Sequence, residues 1–402
     1  MFQKIGIIRE SKPNEKRSHI APKHVKYLIE QTGVQFYIQP GKDRCFTDQR
    51  FEEAGAIITE NLSDCDLIIG FKHIDLDLIE SNKNYFFTAH MEKGQESSMP
   101  LLKALLRSNC SLFDAISFDA RRVQTGIWAG RAGMIESLFA YEQRMNHNQP
   151  PIFQLKRPYE YISYTNFIAE AERTKKKIQE KLPSEKIICG TAGSGNVAQG
   201  VNDVLELLGF KKFDTISDLK KDKYPFCQIK LNRKDRESEE AMKFFLEHID
   251  ILINGTYWDP SIKVFCPTSI LKELSSENKL KLKLIGDITC DIKGSIECTE
   301  ISTTIDNPVF IYDLKTDEIV EKTNNDNIIV MSIDHLPTEF PKECTEAVGD
   351  VMCPYFEKLF KQTNALAPFD DDNLPHEWVK SIIVDKGRLA KRYAYLNRFI
   401  KE

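Results

Sequence analysis

What this 402-residue sequence lacks narrows its class first. No apolar run reaches the eighteen or so residues that span a bilayer, which excludes a membrane-spanning helix. The opening MFQKIGIIRESK has neither the apolar stretch nor the cleavage site of a secretory leader; it reads directly as a strand, and the cytoplasm is the expected compartment. There is no excess of basic charge: 55 Lys and Arg stand against 60 Asp and Glu, for a net charge of -5. Without a basic field nothing grips a phosphate backbone, so nucleic acid is not an expected partner. Cysteine occurs ten times, yet no CxxC and no histidine at ligand spacing accompanies it. The thiols therefore read as reduced and mostly buried, with no metal site expected. Internal repeats and low-complexity tracts are missing as well.

What remains is an ordinary globular balance, 41% hydrophobic and 29% charged. A chain of this length exceeds the size at which one core stops growing, so two domains are expected, with a cleft between them as the default ligand site. Short apolar runs (KIGIIRE, VQFYIQPG, DLIIGFK, NYFFTAH, SLFDAIS) alternate with helix-like stretches (PKHVKYLIEQTG, MPLLKALLRSNC) in the first third. That alternation predicts a parallel α/β sheet. A long helix follows around Trp128. A second α/β series (KIICGTAGSG, VNDVLELLG, FDTISDL, HIDILINGTYW, KLKLIGDITCD) comes after it, then another helix from Pro341 with Thr338 as its expected cap. The expected fold is two Rossmann-like, doubly wound parallel-sheet domains separated by a cleft and linked by long helices. Residues 1–150 with 337–402 form one domain in this reading, and residues 151–336 the other.

KIICGTAGSGNVAQG sets a buried strand, a glycine turn and a helix start in the order a dinucleotide site requires. Gly193 permits the tight turn and Gly195 the close approach of a pyrophosphate. Ser194, Asn196 and Val197 complete the turn and the amides of the helix start. The third glycine is displaced to Gly200, giving GxGxxxxG, and an ordinary strand-to-helix turn remains the competing reading. An acid about twenty residues on is expected to hold the ribose hydroxyls, and Asp214 has that spacing. A carboxylate there favours NAD, whereas Lys211 and Lys212 beside it leave NADP open.

The other charged landmarks lie mostly in the first third. They are RESKPNEKR from Arg9 to Arg17, GFK ending at Lys72, TAH ending at His90 with Lys93 after it, and RRVQTGIWAGRAGM from Arg121. With GDITCDIKGSIECT from Gly286 and SIDHLPTEFPKECTEAVGD from Ser332, these six ordered motifs resemble the L-lysine-forming saccharopine dehydrogenases. Those enzymes, also called lysine-ketoglutarate reductases, share their fold with alanine dehydrogenase and the transhydrogenase nucleotide-binding subunit. The likeness is nearest to the reductase half of the bifunctional aminoadipic semialdehyde synthases, and a monofunctional chain is expected from it.

The resemblance implies interconversion of saccharopine with lysine and 2-oxoglutarate, with NAD or NADP as cofactor. Small-molecule substrates are the expected partners, in a monomer or small homo-oligomer. Oxidising a secondary amine needs two proton-handling groups, one to neutralise the nitrogen and one to activate water against the imine. The resemblance assigns them to Lys72 and His90, each at the end of an apolar strand. It also assigns Arg17, Lys12, Glu15 and Lys93 to the substrate, and Asp334 to the vicinity of the cofactor. Arg122, with Arg121, is expected at the pyrophosphate or a carboxylate, or else as a solvated surface pair. One departure is Ile116 in LFDAIS, where the family carries an acid that tunes the catalytic pair. An alanine dehydrogenase-like enzyme and a non-catalytic, nucleotide-binding regulator are the alternative readings.

Overall fold

The computed structural model describes the chain apart from residues 1, 73, 95–97, 119–124, 146–150, 181–185, 260, 323, 325–326, 363–368, 370–372 and 401–402. It divides into two compact units, Met1–Gln124 with Pro341–Glu402, and Thr125–Phe340. The division falls at residue 124 rather than 150, because the long helix Thr125–Met145 packs with the second sheet and not the first. Thr338 lies in a short 3-10 turn, Leu336–Glu339, and the later helix runs Pro341–Gln362.

The first unit contains β1 (Lys4–Ile7), β2 (Gln35–Ile38), β3 (Ile57–Ile58), β4 (Leu67–Ile69), β5 (Asn84–Phe87) and β6 (Ser111–Asp114). The second contains β7 (Ile187–Ala192), β8 (Lys211–Phe213), β9 (Phe226–Leu231), β10 (Ile251–Asn254), β11 (Leu284–Asp287), β12 (Val309–Asp313), β13 (Glu318–Val320) and β14 (Asn327–Met331). β15 (Ile382–Asp385) and β16 (Arg388–Leu389) return to the first. The orders are β16-β15-β6-β5-β4-β1-β2-β3 and β13-β12-β14-β11-β10-β7-β9-β8. Both sheets are mostly parallel; β12, β13, β15 and β16 supply the antiparallel pairs.

Burial on both faces explains why the central strands read as unbroken apolar runs. In β5, Tyr85 and Phe87 face a core with Leu102, Leu105 and Ile383. On the other side Phe86 meets Phe356 and Trp378 at ring separations of 5.1 and 5.4 Å. The C-terminal segment is thereby held to the first sheet by aromatic burial, each such ring adding roughly 0.5–1.5 kcal/mol beyond its area.

In the second unit the helices Thr125–Met145 and Asn196–Leu207 touch through glycine. A Cβ on Gly130 would lie 2.0 Å from the Val197 carbonyl oxygen, and one on Gly200 would lie 2.1 Å from that of Ile127. Gly200 thus serves helix packing rather than the turn. Among the described residues no helix is long and apolar enough to cross a membrane, and no cluster could hold a metal ion. All ten cysteines are free, eight of them buried.

Candidate active site

β1, β4 and β5 are neighbours with parallel register, so the residues that follow them emerge side by side at one edge of the first sheet. Glu10, Arg17, Lys72 and His90 all lie just beyond these strands. Two carboxylates hold the backbone there. Glu10 accepts hydrogen bonds from the amides of Phe71 and Lys72, the latter at 3.0 Å, and so clamps the end of β4 where Lys72 projects. Asp114, fully buried at the end of β6, accepts from Ala89 at 3.1 Å and Met91 at 2.9 Å, the two residues that flank His90. His90 has φ 52°, a left-handed conformation that a side chain with a Cβ adopts rarely, and the Asp114 carboxylate is what fixes it. The Ile116 amide is a third donor to Asp114, at 3.2 Å. Lys72 and His90 are thus each positioned by a carboxylate from another strand end.

Burial pushes both carboxylates up. Glu10 rises to about 7 and Asp114 to about 6, burial outweighing the amides that favour the charged forms. For Asp114 the consequence for stability has a definite sign. The folded chain keeps this proton up to about pH 6, whereas an unfolded aspartate releases it near about pH 4. Stability therefore falls as pH rises through that window, by about 3 kcal/mol in total. Asp114→Asn carries no such proton. Measured by urea unfolding, its stability relative to the native chain should climb by about 3 kcal/mol between pH 4 and pH 7. Parallel pH profiles for the two proteins would refute the assignment.

Arg17 is 4% exposed and directs its Nε and Nη2 at Glu15, at 2.7 and 2.5 Å. Its guanidinium lies over the Phe71 ring at 4.1 Å, and His19 stacks on the same ring at 4.8 Å. Burial raises the Glu15 carboxyl, but the Arg17 charge and hydrogen bonds and the charge of Lys72 outweigh it, so Glu15 stays below the usual range. His19 is pushed down to about 3, chiefly by burial, and is a neutral member of the wall. A cavity of about 70 Å³ opens here, lined by Arg9, Glu10, Glu15, Arg17 and Arg44. Two of the Arg17 donors are thus occupied by Glu15, and Nη1 lies 4.0 Å from Cys344 Sγ.

Lys12 belongs to the same loop, its carbonyl accepting from the Glu15 amide at 3.1 Å. Lys93 closes the short 3-10 turn Met91–Lys93 that follows His90. Arg121 and Arg122 lie outside the described residues. Glu10, Asp114, His19 and Arg44 have no role that the sequence alone suggests, although Glu10 stands within the RESKPNEKR motif and Asp114 within LFDAIS.

In the second unit β7 leads into Gly193, which has φ 122° and sits where a Cβ would lie 2.5 Å from the Gly255 carbonyl oxygen. Gly195 is different. A Cβ there meets no atom within 4 Å, so the space above the turn is open, and the helix from Asn196 presents its first amides, including that of Val197, beside it. Open backbone at a helix start is what a pyrophosphate needs. The neighbouring strand ends are braced by buried polar groups: Asn254 Nδ2 donates to Asp287 Oδ1 and to Ser295 Oγ, both at 2.8 Å. Asp334 follows β14 and is hydrogen-bonded to His335. Asp214 is not beside the turn. It follows β8, the edge strand, and β9 lies between β8 and β7.

Residues 6–121 match the family model of the alanine dehydrogenase/PNT N-terminal domain. The alpha-aminoadipic semialdehyde synthase of Arabidopsis thaliana is 28% identical over 99% of this chain and 41% of its own length. The saccharopine dehydrogenase [NAD(+), L-lysine-forming] of Schizosaccharomyces pombe is 28% identical over 92% of this chain and 94% of its own. The chain thus spans less than half the length of the synthases and nearly the whole of the shorter dehydrogenase. Among solved structures an L-alanine dehydrogenase superposes with a TM-score of 0.67 at 17% identity, covering 99% of both chains, and shares the fold. The chain thus has the alanine dehydrogenase fold, carries an alanine dehydrogenase/PNT N-terminal domain over residues 6–121, and is similar over nearly its whole length to L-lysine-forming saccharopine dehydrogenases.

Proposed function

We propose that this chain is an NAD(P)-dependent oxidoreductase that interconverts saccharopine with lysine and 2-oxoglutarate. The observation that carries the reading is the pair Lys72 and His90, set at the ends of adjacent parallel strands and each held by a carboxylate, the half-buried Glu10 and the buried Asp114. The first unit takes the amino-acid substrate and the second the dinucleotide at Gly193–Val197. A nicotinamide dinucleotide bound there supplies the hydride acceptor. Lys72 and His90 supply the two proton transfers, one from the secondary amine and one from the water that attacks the imine. The lysine accepts a proton only as the neutral amine. Arg17, through Nη1, and Lys12 offer cationic donors to substrate carboxylates, while Glu15 keeps Arg17 in place.

Oxidation of NADH or NADPH that requires both lysine and 2-oxoglutarate is the expected result. It is read as loss of absorbance at 340 nm, with saccharopine identified by mass. Turnover with ammonia and pyruvate instead would establish the alanine dehydrogenase type of reaction. Cofactor binding without turnover of either pair would point to a regulator.

A further inference from the structure

The stretch Lys391–Leu396, a 3-10 turn continued by the short helix Asn397–Ile400, lies against the two loops that carry His90 and Asp114. On the Asp114 side the contact is buried. Tyr393, 5% exposed, donates its hydroxyl to the Lys380 carbonyl at 2.8 Å and meets Ser117 Oγ at 3.0 Å, at the end of the turn Ala115–Ser117 that follows Asp114. On the His90 side the Tyr395 hydroxyl donates to the Glu92 carbonyl at 2.6 Å. The Phe399 ring closes on Gly94, where a Cβ would lie 2.3 Å from it.

Following the backbone from Ala89 to Gly94 shows what Tyr395 adds. The Ala89 and Met91 amides go to Asp114, the Ala89 carbonyl accepts from Ser98 Oγ at 3.2 Å, and the Gly94 amide closes on the Met91 carbonyl at 3.0 Å. The Glu92 carbonyl takes its bond from Tyr395, 303 residues further along the chain. His90 and Gly94, at the two ends of this turn, are both left-handed, with φ 52° and 61°. At His90 that conformation is strained and persists only while its surroundings fix it. Glycine adopts it without strain and leaves it as easily. Asp114 holds the His90 end of the turn, and Tyr395 with Phe399 holds the Gly94 end.

We propose that Tyr395 is a positioning residue for His90, an inference that rests on the reading of His90 as a proton-handling group. Its hydroxyl, with the Phe399 ring against Gly94, fixes the turn Met91–Gly94 and, through that turn, the direction of the imidazole. Tyr395 is 41% exposed, so the Glu92 carbonyl passes to water when the hydroxyl is removed. What is lost is then orientation and not folding. Proton transfer tolerates little misplacement of the group that performs it. Tyr393, buried and bonded twice, is by contrast a structural anchor of the same stretch.

The test combines rates with a probe that needs no turnover. Tyr395→Phe should lower kcat for lysine and 2-oxoglutarate by about 3- to 10-fold, the worth of one hydrogen bond, and leave Tm unchanged. In a His90→Gln background the same substitution should cost less than about twofold, because a residue that acts through His90 then has nothing left to act on. In the full chain labelled with carbon-13 at histidine Cε1, the His90 resonance is identified by its loss in His90→Gln. Tyr395→Phe should shift or broaden it while the resonances of the other histidines stay in place, and Phe399→Ala should do the same. A His90 resonance unmoved by both substitutions would overturn the proposal. So would an undiminished effect of Tyr395→Phe in the His90→Gln background. Near-normal kcat in His90→Gln alone would refute the role of His90 and leave Tyr395 nothing to position. Absence of turnover with this substrate pair would refute the substrate only, and the His90 resonance would still decide for or against Tyr395.

Discussion

Lys72→Met lowers kcat for the lysine and 2-oxoglutarate reaction by about 10²- to 10⁴-fold, the usual worth of a positioned general acid or base. Methionine preserves the length and the apolar stem of lysine, so the Phe71 and Lys72 amides still reach Glu10 and the end of β4 keeps its shape. What is lost is the amine alone. Dinucleotide affinity should therefore change by less than about twofold, since a group that only moves protons adds little ground-state binding. His90→Gln should behave alike in rate. Its left-handed backbone is fixed from outside by Asp114, so the replacement inherits the conformation instead of relaxing it. If the two groups act as one proton-handling unit, the double variant falls scarcely below either single variant. Near-normal kcat in both single variants would remove Lys72 and His90 from the chemistry.

Part of this site is readable in the sequence because burial leaves a pattern. β4, β5 and β6 are enclosed on both faces, so LII, NYFF and SLFD stand out as apolar runs, and Lys72 and His90 are conspicuous as the first charged or titratable groups after two of them. The carboxylates that set those residues have no such signal. Glu10 and Asp114 act on backbone amides 61 and 25 residues away, a relation that no spacing rule encodes.

The second sheet shows the opposite failure. FCQIKL alternates with polar residues and follows the lysine-rich KKDKYP, so β9 is inconspicuous, and Asp214 answers to the ribose only by its distance along the chain from the glycine turn. Spacing gives the order of strands in sequence but not in space. Because β9 lies between β7 and β8, Asp214 stands one strand removed from the neighbour of the glycine-turn strand. Arg17 is legible as a functional arginine but not as half of a buried pair. Its partner, Glu15, is two residues away and reads from the sequence as a substrate contact.

That pair carries the second large effect. With side chains 3% and 0% exposed, Arg17 and Glu15 are out of water, so each charge is tolerable only because of the other. Glu15→Met strands a buried guanidinium and should destabilise the first unit by about 3–5 kcal/mol. In a unit of this size that is a fall of roughly 10 °C in Tm. Arg17→Met should do the same by stranding the carboxylate. Replacing both with methionine removes two charges together and keeps the volume, so most of the lost stability should return, because a well-packed apolar pair rivals a buried ion pair. Catalysis should not return with it. The double variant should fold near the native Tm yet show a KM for 2-oxoglutarate raised by about tenfold or more, having lost the Arg17 Nη1 donor. Recovery of both stability and KM would mean that Arg17 is structural only. A double variant as unstable as either single variant would mean that packing against Phe71, rather than charge pairing, is what the two residues supply.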